Sequence, residues 1–205
     1  MSGALAIASL AQRAGFSQLF VPAPNAAEAA LVSGIAVIPV AALRQLIDHL
    51  EERIAIPVQK PTPIESRGGH PTLDLTEIHG QEHAKRALTI AAAGGHNLLF
   101  IGPPGTGKTM LASALTSILP TPSPDEIIEI TKIYSAAGLL GHAPYIGYRP
   151  LRSPHQSASA AAVIGGGTTP RPGELSLAHR GVLFLDELPE FRRDILESLR
   201  QPMEA

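Results

Sequence analysis

The first 56 residues alternate between short apolar runs and stretches in which apolar residues have helical spacing. The pattern predicts a helix over residues 3–14, strands at 19–21 and 35–38, and a helix in which Leu43, Leu46, Ile47 and Leu50 form one apolar face. Asn25, followed three positions later by Glu28, is typical of a helix start. The segment is therefore predicted to be α/β. Because about 55 residues are few for an independent hydrophobic core, we expect it to belong to a larger domain.

A second apolar run, Leu98–Ile101, predicts a strand directly before a glycine-rich loop. The loop has the spacing G-x-x-x-x-G-K-[ST] and consists of Gly102, Pro103, Pro104, Gly105, Thr106, Gly107, Lys108 and Thr109. Such a loop binds phosphate through backbone N–H groups at a helix N-terminus, and its glycines let the backbone approach the ligand. We therefore expect the loop to bind ATP, with Lys108 at the β- and γ-phosphates and the Thr109 hydroxyl on Mg²⁺.

Residues 181–185 form a continuous apolar run that ends in the carboxylates of Asp186 and Glu187. This pattern is typical of a strand buried on both faces of a parallel sheet, with its acids at the carboxyl edge where ligands bind. Asp186 would hold Mg²⁺, directly or through water, and Glu187 would polarise the water that attacks the γ-phosphate. Taken alone, the two acids are also typical of a solvated strand end. Together with the loop they predict an ATPase with Lys108 and Glu187 as catalytic residues.

The composition narrows the class of protein. With 44% hydrophobic and 17% charged residues, the chain is globular, and its 205 residues allow one domain or two small ones. The chain has no cysteine, which excludes a disulfide scaffold and thiolate metal sites and fits a cytoplasmic location. No apolar run approaches the roughly 20 residues of a membrane helix, so we expect no membrane contact. The formal net charge of -2 gives no overall attraction to nucleic acid.

A proline-rich stretch separates the first segment from the glycine loop. Its turn-forming residues are Pro57, Pro61, Pro63, Gly68, Gly69 and Pro71. Because the stretch lacks apolar periodicity, it is predicted to be a linker. We therefore predict three parts: an α/β segment at 1–56, a linker at 57–72 and a nucleotide-binding domain at 73–205.

Three motifs mark the N-terminal segment, namely Gly3-Ala4-Leu5 before a helix, residues 13–16 (Arg-Ala-Gly-Phe) and residues 21–25 (Val-Pro-Ala-Pro-Asn). They resemble the carboxyl-terminal half of the Lon-protease-like domain, a Ser-Lys peptidase. No lysine precedes Lys60, so Ser9 and Ser17 lack the base that such a peptidase needs. The serine-bearing half of that domain is also absent. We expect a partial, non-proteolytic Lon-protease-like segment.

Further motifs follow from residue 73 onward, at 73–82, 87–99, 152–155, 164–167, 170–179 and 181–191. Together they resemble magnesium-chelatase-like AAA+ ATPases, and within them the ComM/YifB branch. The resemblance implies a partial P-loop NTPase three-layer sandwich with a parallel central sheet. It also implies an adenine pocket formed before the first helix, with Ile78 and Gly80 as nucleotide-binding residues. Gln156 departs from the branch, where a second histidine is expected.

Residues 142–181 are predicted to form an insert between the two phosphate-site motifs. Lys108 and Asp186 lie 78 positions apart, and the glycines at 165–167 and the prolines at 170 and 172 cannot lie within a regular helix or a central strand. The basic residues of the insert are Arg149, Arg152, Arg171 and Arg180, against the single acid Glu174. The resemblance implies that such an insert engages DNA at the pore of a homohexameric ring. Arginines scattered over a solvated loop are the alternative interpretation.

Three functions are compatible with these observations. The first is the ATP-binding part of a ComM-like motor that drives DNA branch migration in recombination or natural transformation. The second is a magnesium-chelatase-type subunit that remodels a partner protein, and the third is an interaction module without complete catalytic machinery. The family's sensor, arginine finger and helical lid would follow residue 205, so we expect a chain truncated after the acidic strand to be a weak ATPase by itself. A transition-metal site at His79 and His83 is a minor alternative.

Overall fold

The computed structural model describes residues 1–65, 73–167 and 170–200. In chain order the helices are α1 (Ala4–Arg13), α2 (Ala26–Ala29), α3 (Leu43–Leu50), α4 (Glu82–Gly94), α5 (Lys108–Ile118), α6 (Pro124–Ala137), α7 (Ala160–Ile164), α8 (Glu174–Leu177) and α9 (Arg193–Ser198). The strands are β1 (Gln18–Pro22), β2 (Ala36–Val40), β3 (Leu151–Arg152), β4 (Gly165–Gly166), β5 (Arg171–Pro172) and β6 (Val182–Leu183). The chain divides into two compact units, Met1–Glu65 with Pro124–Ile146 and Ser66–Ser123 with Gly147–Ala205.

The first unit contains one pair of parallel strands. β1 and β2 pair in register from Gln18 opposite Ala36 to Pro22 opposite Val40. Small apolar residues of the helices pack on this pair, and the buried cluster consists of Ala8, Val21, Ala26, Ala29, Ala30 and Val37. The structure confirms the helix predicted at 3–14 and the strands predicted at 19–21 and 35–38.

The first unit also contains α6, which follows the glycine loop and α5 in the sequence. α6 packs against α1, and its side chains Ile127 and Ile130 are fully buried. Glu28 of α2 is 7% exposed and accepts hydrogen bonds from the Leu5 N–H, at 2.9 Å, and from the Ser135 hydroxyl. The predicted helix start at Asn25 is confirmed, but Glu28 caps the start of α1 rather than that of its own helix.

α3 forms where the amphipathic pattern predicts it, yet its apolar face is not buried. Leu43, Ile47 and Leu50 are exposed, and none of the residues of α3 is buried. The first residues of the predicted linker contact this unit, since the Gln59 N–H donates a hydrogen bond to the Val37 carbonyl oxygen at 2.8 Å. Residues 66–72 of the predicted linker lie outside the described residues.

The second unit contains two short strand pairs. β3 and β6 are parallel, with Leu151 opposite Val182 and Arg152 opposite Leu183, whereas β4 and β5 are antiparallel. Only glycine fits at position 181, because a Cβ there would overlap the Pro150 carbonyl oxygen. One apolar cluster joins α4 and α5 through Leu88 and Leu111, and another joins α7 and α9 through Val163 and Ile195.

Two strand predictions in this unit are wrong in extent. Leu98–Ile101 is not assigned as a strand, and Leu99 and Ile101 are 68% and 89% exposed. The reason is that a strand requires a hydrogen-bonded neighbour, and no described segment pairs with this run. β6 covers only Val182–Leu183 and is half-buried, because β3 is its single neighbour among the described strands. The fold is therefore α/β with short parallel strand pairs.

Among the described residues, no helix combines the length and the apolar character that crossing a membrane requires.

Candidate functional site

The glycine-rich loop surrounds its own lysine. Gly105 and Gly107 both have φ of 79°, a left-handed conformation that favours glycine, and α5 begins at Lys108. The Lys108 ammonium donates hydrogen bonds to the carbonyl oxygens of Gly102 and Pro103, each at 2.9 Å. The Thr106 hydroxyl also donates to Pro103, at 3.0 Å. The loop is thus folded tightly around a cation at a helix N-terminus, an arrangement suited to anion binding.

Thr109 and Asp186 are in contact, although 77 positions separate them in the sequence. Thr109 lies in the first turn of α5 and Asp186 follows β6, and the Thr109 hydroxyl donates to Asp186 Oδ2 at 2.8 Å. Neighbouring ligands of an octahedral Mg²⁺ ion, with bonds of about 2.1 Å, are about 3 Å apart. The two oxygens therefore fit adjacent positions on one Mg²⁺ ion. The described residues contain no group of three His, Cys, Asp or Glu side chains suited to a metal.

Glu187 lies beside Asp186 in an open cleft. Its backbone is left-handed, with φ of 53°, and its N–H donates to Asp186 Oδ1 at 3.0 Å. The cleft has a volume of about 370 Å³ and is lined by Ser153, Pro154, His155, Gln156, Asp186 and Glu187. Sequence reasoning identified the two acids, but it included residues 153–156 only in the family resemblance and in the insert expected to engage DNA, and it did not place them beside the acids. One signal in the sequence could have placed this segment beside the acids, because the carboxyl ends of parallel strands lie at the same edge of a sheet.

The segment expected to line an adenine pocket precedes α4. Ile78 is buried with Leu88 and Leu111, and Gly80 has φ of 68°. Before them Asp74 caps the 3₁₀ helix Leu75–Glu77, and the hydrogen bonds from the Thr76 hydroxyl and N–H lower the pKa of the Asp74 carboxyl.

Gln81 connects this segment to the phosphate loop. Its side-chain Nε2 donates to the Thr106 carbonyl oxygen at 3.2 Å, a contact that the sequence pattern did not reveal. His79 precedes α4 whereas His83 lies within it. The two histidines therefore do not share a helix face, and the spacing argument for a metal site at this position fails.

The arginines of the insert differ in their surroundings. Arg149 donates to the carbonyl oxygens of Pro120, at 2.6 Å, and Arg180, at 2.8 Å. Arg152 forms a two-pronged ion pair with Glu174, with N···O distances of 2.5 and 2.8 Å. Arg171 is exposed at the start of β5. Arg149 and Arg152 therefore stabilise the insert, and Arg171 presents its charge to solvent.

Comparison with known proteins shows the family. The family model described as magnesium chelatase, subunit ChlI, matches residues 74–205. Competence protein ComM of Haemophilus influenzae is 50% identical over 201 residues, which cover 97% of this chain and 40% of that protein. The uncharacterised protein YifB of Escherichia coli is 46% identical over 203 residues, 99% of this chain and 40% of its own length. An archaeal Lon protease of Thermococcus kodakarensis is 41% identical over 54 residues, 26% of this chain and 8% of the protease.

The chain therefore belongs to the magnesium chelatase ChlI family of AAA+ ATPases, in the branch that contains ComM and YifB. It spans about 40% of the length of these two relatives.

Proposed function

We propose that the chain binds ATP with Mg²⁺ and forms the nucleotide-binding part of an ATPase. The contact between Thr109 and Asp186 is the observation that carries this proposal, because it joins the phosphate loop to the acidic strand end. Lys108 would leave its loop carbonyls for the β- and γ-phosphates, while Thr109 and Asp186 would hold Mg²⁺. Glu187 would orient water and accept its proton. The bound Mg²⁺ would supply charge neutralisation at the phosphates.

Replacement of the loop lysine tests nucleotide binding. Lys108→Ala removes the ammonium that would neutralise phosphate charge, so we expect the affinity for ATP·Mg²⁺ to fall by at least about tenfold, as loss of a hydrogen-bonded charge implies. Isothermal titration of the purified chain measures this. Lys60→Ala, at an exposed lysine of the other unit, is the matched control and should bind like the unchanged chain. Equal affinity for the Lys108 variant would refute the assignment.

For the longer protein we propose a cytoplasmic hexameric motor that drives DNA branch migration in recombination or natural transformation. The support is 50% identity to a competence protein, together with the exposed cation of Arg171. The same proposal includes a three-layer sandwich that the longer protein completes around β3 and β6. It also assigns residues 1–56 to a Lon-like segment without proteolytic activity. DNA-stimulated phosphate release by the longer protein is the test, and its absence on every branched and linear DNA would contradict the DNA substrate.

A second candidate function follows from the family model itself, which is named for a magnesium chelatase subunit. Under this alternative, ATP turnover would remodel a partner protein for metal insertion. Phosphate release that responds to a partner protein and not to DNA would favour it over the motor.

A further inference from the structure

The segment after β3 reaches the same edge of the sheet as the two acids. Arg152 pairs with Leu183, and the Phe184 N–H donates to the Arg152 carbonyl at 2.8 Å. His155 lies three residues beyond Arg152, and Asp186 lies three residues beyond Leu183. Because the strands are parallel and in register, equal offsets bring both residues to one edge. They line the same cleft.

The ring of His155 is oriented by its own loop. Nδ1 accepts a hydrogen bond from the Ser157 N–H at 3.2 Å and lies 2.8 Å from the Ser157 hydroxyl oxygen. Because a backbone N–H can only donate, Nδ1 is the accepting nitrogen of the neutral ring, and Nε2 carries the proton. The ring therefore offers a single N–H donor, held by a local turn rather than by a distant element.

The cleft brings carboxylates and hydrogen-bond donors together. Its lining contains the acids Asp186 and Glu187 and the uncharged donors Ser153, His155 and Gln156, and the ring of His155 is the donor that the Ser157 N–H orients. Thr109 and Asp186 would hold the Mg²⁺ of a bound nucleotide, and Glu187 would activate the water that attacks the γ-phosphate, so the terminal phosphate would face the cleft that the two acids line. A phosphate oxygen at this position requires hydrogen-bond donors to offset the nearby negative charge.

We infer that His155 recognises the terminal phosphate of ATP, with Nε2–H as the donor, and thereby makes the site distinguish ATP from ADP. This inference rests on the proposed ATP site. It assigns a role to the segment after β3, which lines the cleft beside Asp186 and Glu187. ADP lacks the group that His155 contacts, so the contribution of His155 should appear for ATP alone.

The test compares affinities for ATP·Mg²⁺ and ADP·Mg²⁺ by isothermal titration of the whole chain. His155→Ala should weaken ATP binding about 10- to 100-fold, as expected for loss of a hydrogen bond to a charged group, and leave ADP binding within about twofold. His155→Gln, whose amide nitrogen can take the place of Nε2, should restore part of the ATP affinity, whereas the shorter His155→Asn should not. His142→Ala, at an exposed histidine of the other unit, is the matched control.

The possible outcomes separate this inference from the proposed function. If the unchanged chain binds neither nucleotide, both the ATP site and the role of His155 are refuted. If it binds ATP and Lys108→Ala weakens that binding, but His155→Ala leaves the ratio of ATP to ADP affinity unchanged, only the role of His155 is refuted. Equal loss of both affinities in the His155→Ala variant would show a structural role for His155 and would likewise overturn the inference.

Discussion

At the scale of single residues, the site consists of short-range contacts between groups that are distant in the sequence. Thr109 meets Asp186, and Gln81 holds the carbonyl of Thr106. Asp186 also accepts the N–H of Glu187, so one carboxylate connects α5 to the next acid in the chain. The side chain of Glu187 itself is exposed at the cleft. The two acids therefore occupy different environments, Asp186 partly buried and Glu187 exposed.

Glu187→Gln separates hydrolysis from binding. The amide keeps the size of the side chain but loses the charge that accepts a proton, so we expect ATP affinity to persist and turnover to fall at least about 10²-fold. Single-turnover phosphate release by the longer protein at saturating ATP measures the effect. Glu190→Gln is the matched control, because Glu190 is an exposed acid in the 3₁₀ helix Leu188–Glu190, which directly follows Glu187. Undiminished release by the Glu187 variant would show that another residue activates the water.

At the scale of elements, the part of the insert that belongs to the second unit, from residue 147 onward, contains short helices and paired strands. β4 and β5 pair through Gly165 opposite Pro172, and Gly173 fits only as glycine because a Cβ there would overlap the backbone of Gly165. The ion pair between Arg152 and Glu174 fastens α8 to β3. Residues 168–169 of the insert lie outside the described residues. Close backbone packing therefore holds β4 against β5, and a part-buried ion pair holds α8 against β3.

Two arginines of this insert should respond differently to substitution. Arg171→Ala removes an exposed cation, so we expect weaker DNA binding and a slope of log K against log salt that is smaller by about 1. Arg152→Ala leaves Glu174 without its partner, so its main effect should be a lower free energy of unfolding. Fluorescence anisotropy with duplex and branched DNA at several salt concentrations, together with urea unfolding, measures both. An unchanged salt slope for Arg171→Ala would contradict a phosphate contact by that residue.

At the scale of the whole molecule, the order of elements in the sequence differs from their grouping in space. α6 follows α5 in the sequence but belongs to the first unit, where it buries Ile127, Ile130 and Tyr134. Each such side chain contributes about 1.5–3 kcal/mol when it leaves water. Glu28 adds a buried acceptor for the Ser135 hydroxyl and the Leu5 N–H. The first unit therefore depends on residues encoded after the phosphate loop.

A shortened chain tests this dependence. We expect residues 1–65 alone to remain largely unfolded, because α1 and Glu28 lose the helix that covers them. Residues 1–65 joined to 124–146 by a flexible glycine-serine linker should unfold cooperatively with heat, as followed by circular dichroism. The control is the joined chain with Ile127→Asp and Ile130→Asp, which should not fold because each change buries an unpaired charge. A cooperative transition for residues 1–65 alone would show that α6 is dispensable.

Local patterns located several elements of this protein, mainly in residues 1–56, and predicted its candidate site. The spacing of Gly102, Gly107, Lys108 and Thr109 predicts a phosphate-binding loop by itself, since the geometry of such a loop depends on backbone conformations that neighbouring residues fix. The apolar periodicity likewise located α1, β1, β2 and α3. These features are local in the sequence, which is why a pattern of residues predicts them.

Only the tertiary structure decided which elements are buried and which side chains meet. Leu98–Ile101 has the pattern of a strand but remains exposed, with no paired neighbour in the described part of the chain, and α3 keeps its apolar face in solvent. The grouping of α6 with α1, the contact of Thr109 with Asp186 and the position of His155 beside the acids depend on contacts between residues far apart in the chain. Hydrogen-bond pairing of strands and packing of helices set these distances, and neither is encoded in the periodicity of one segment.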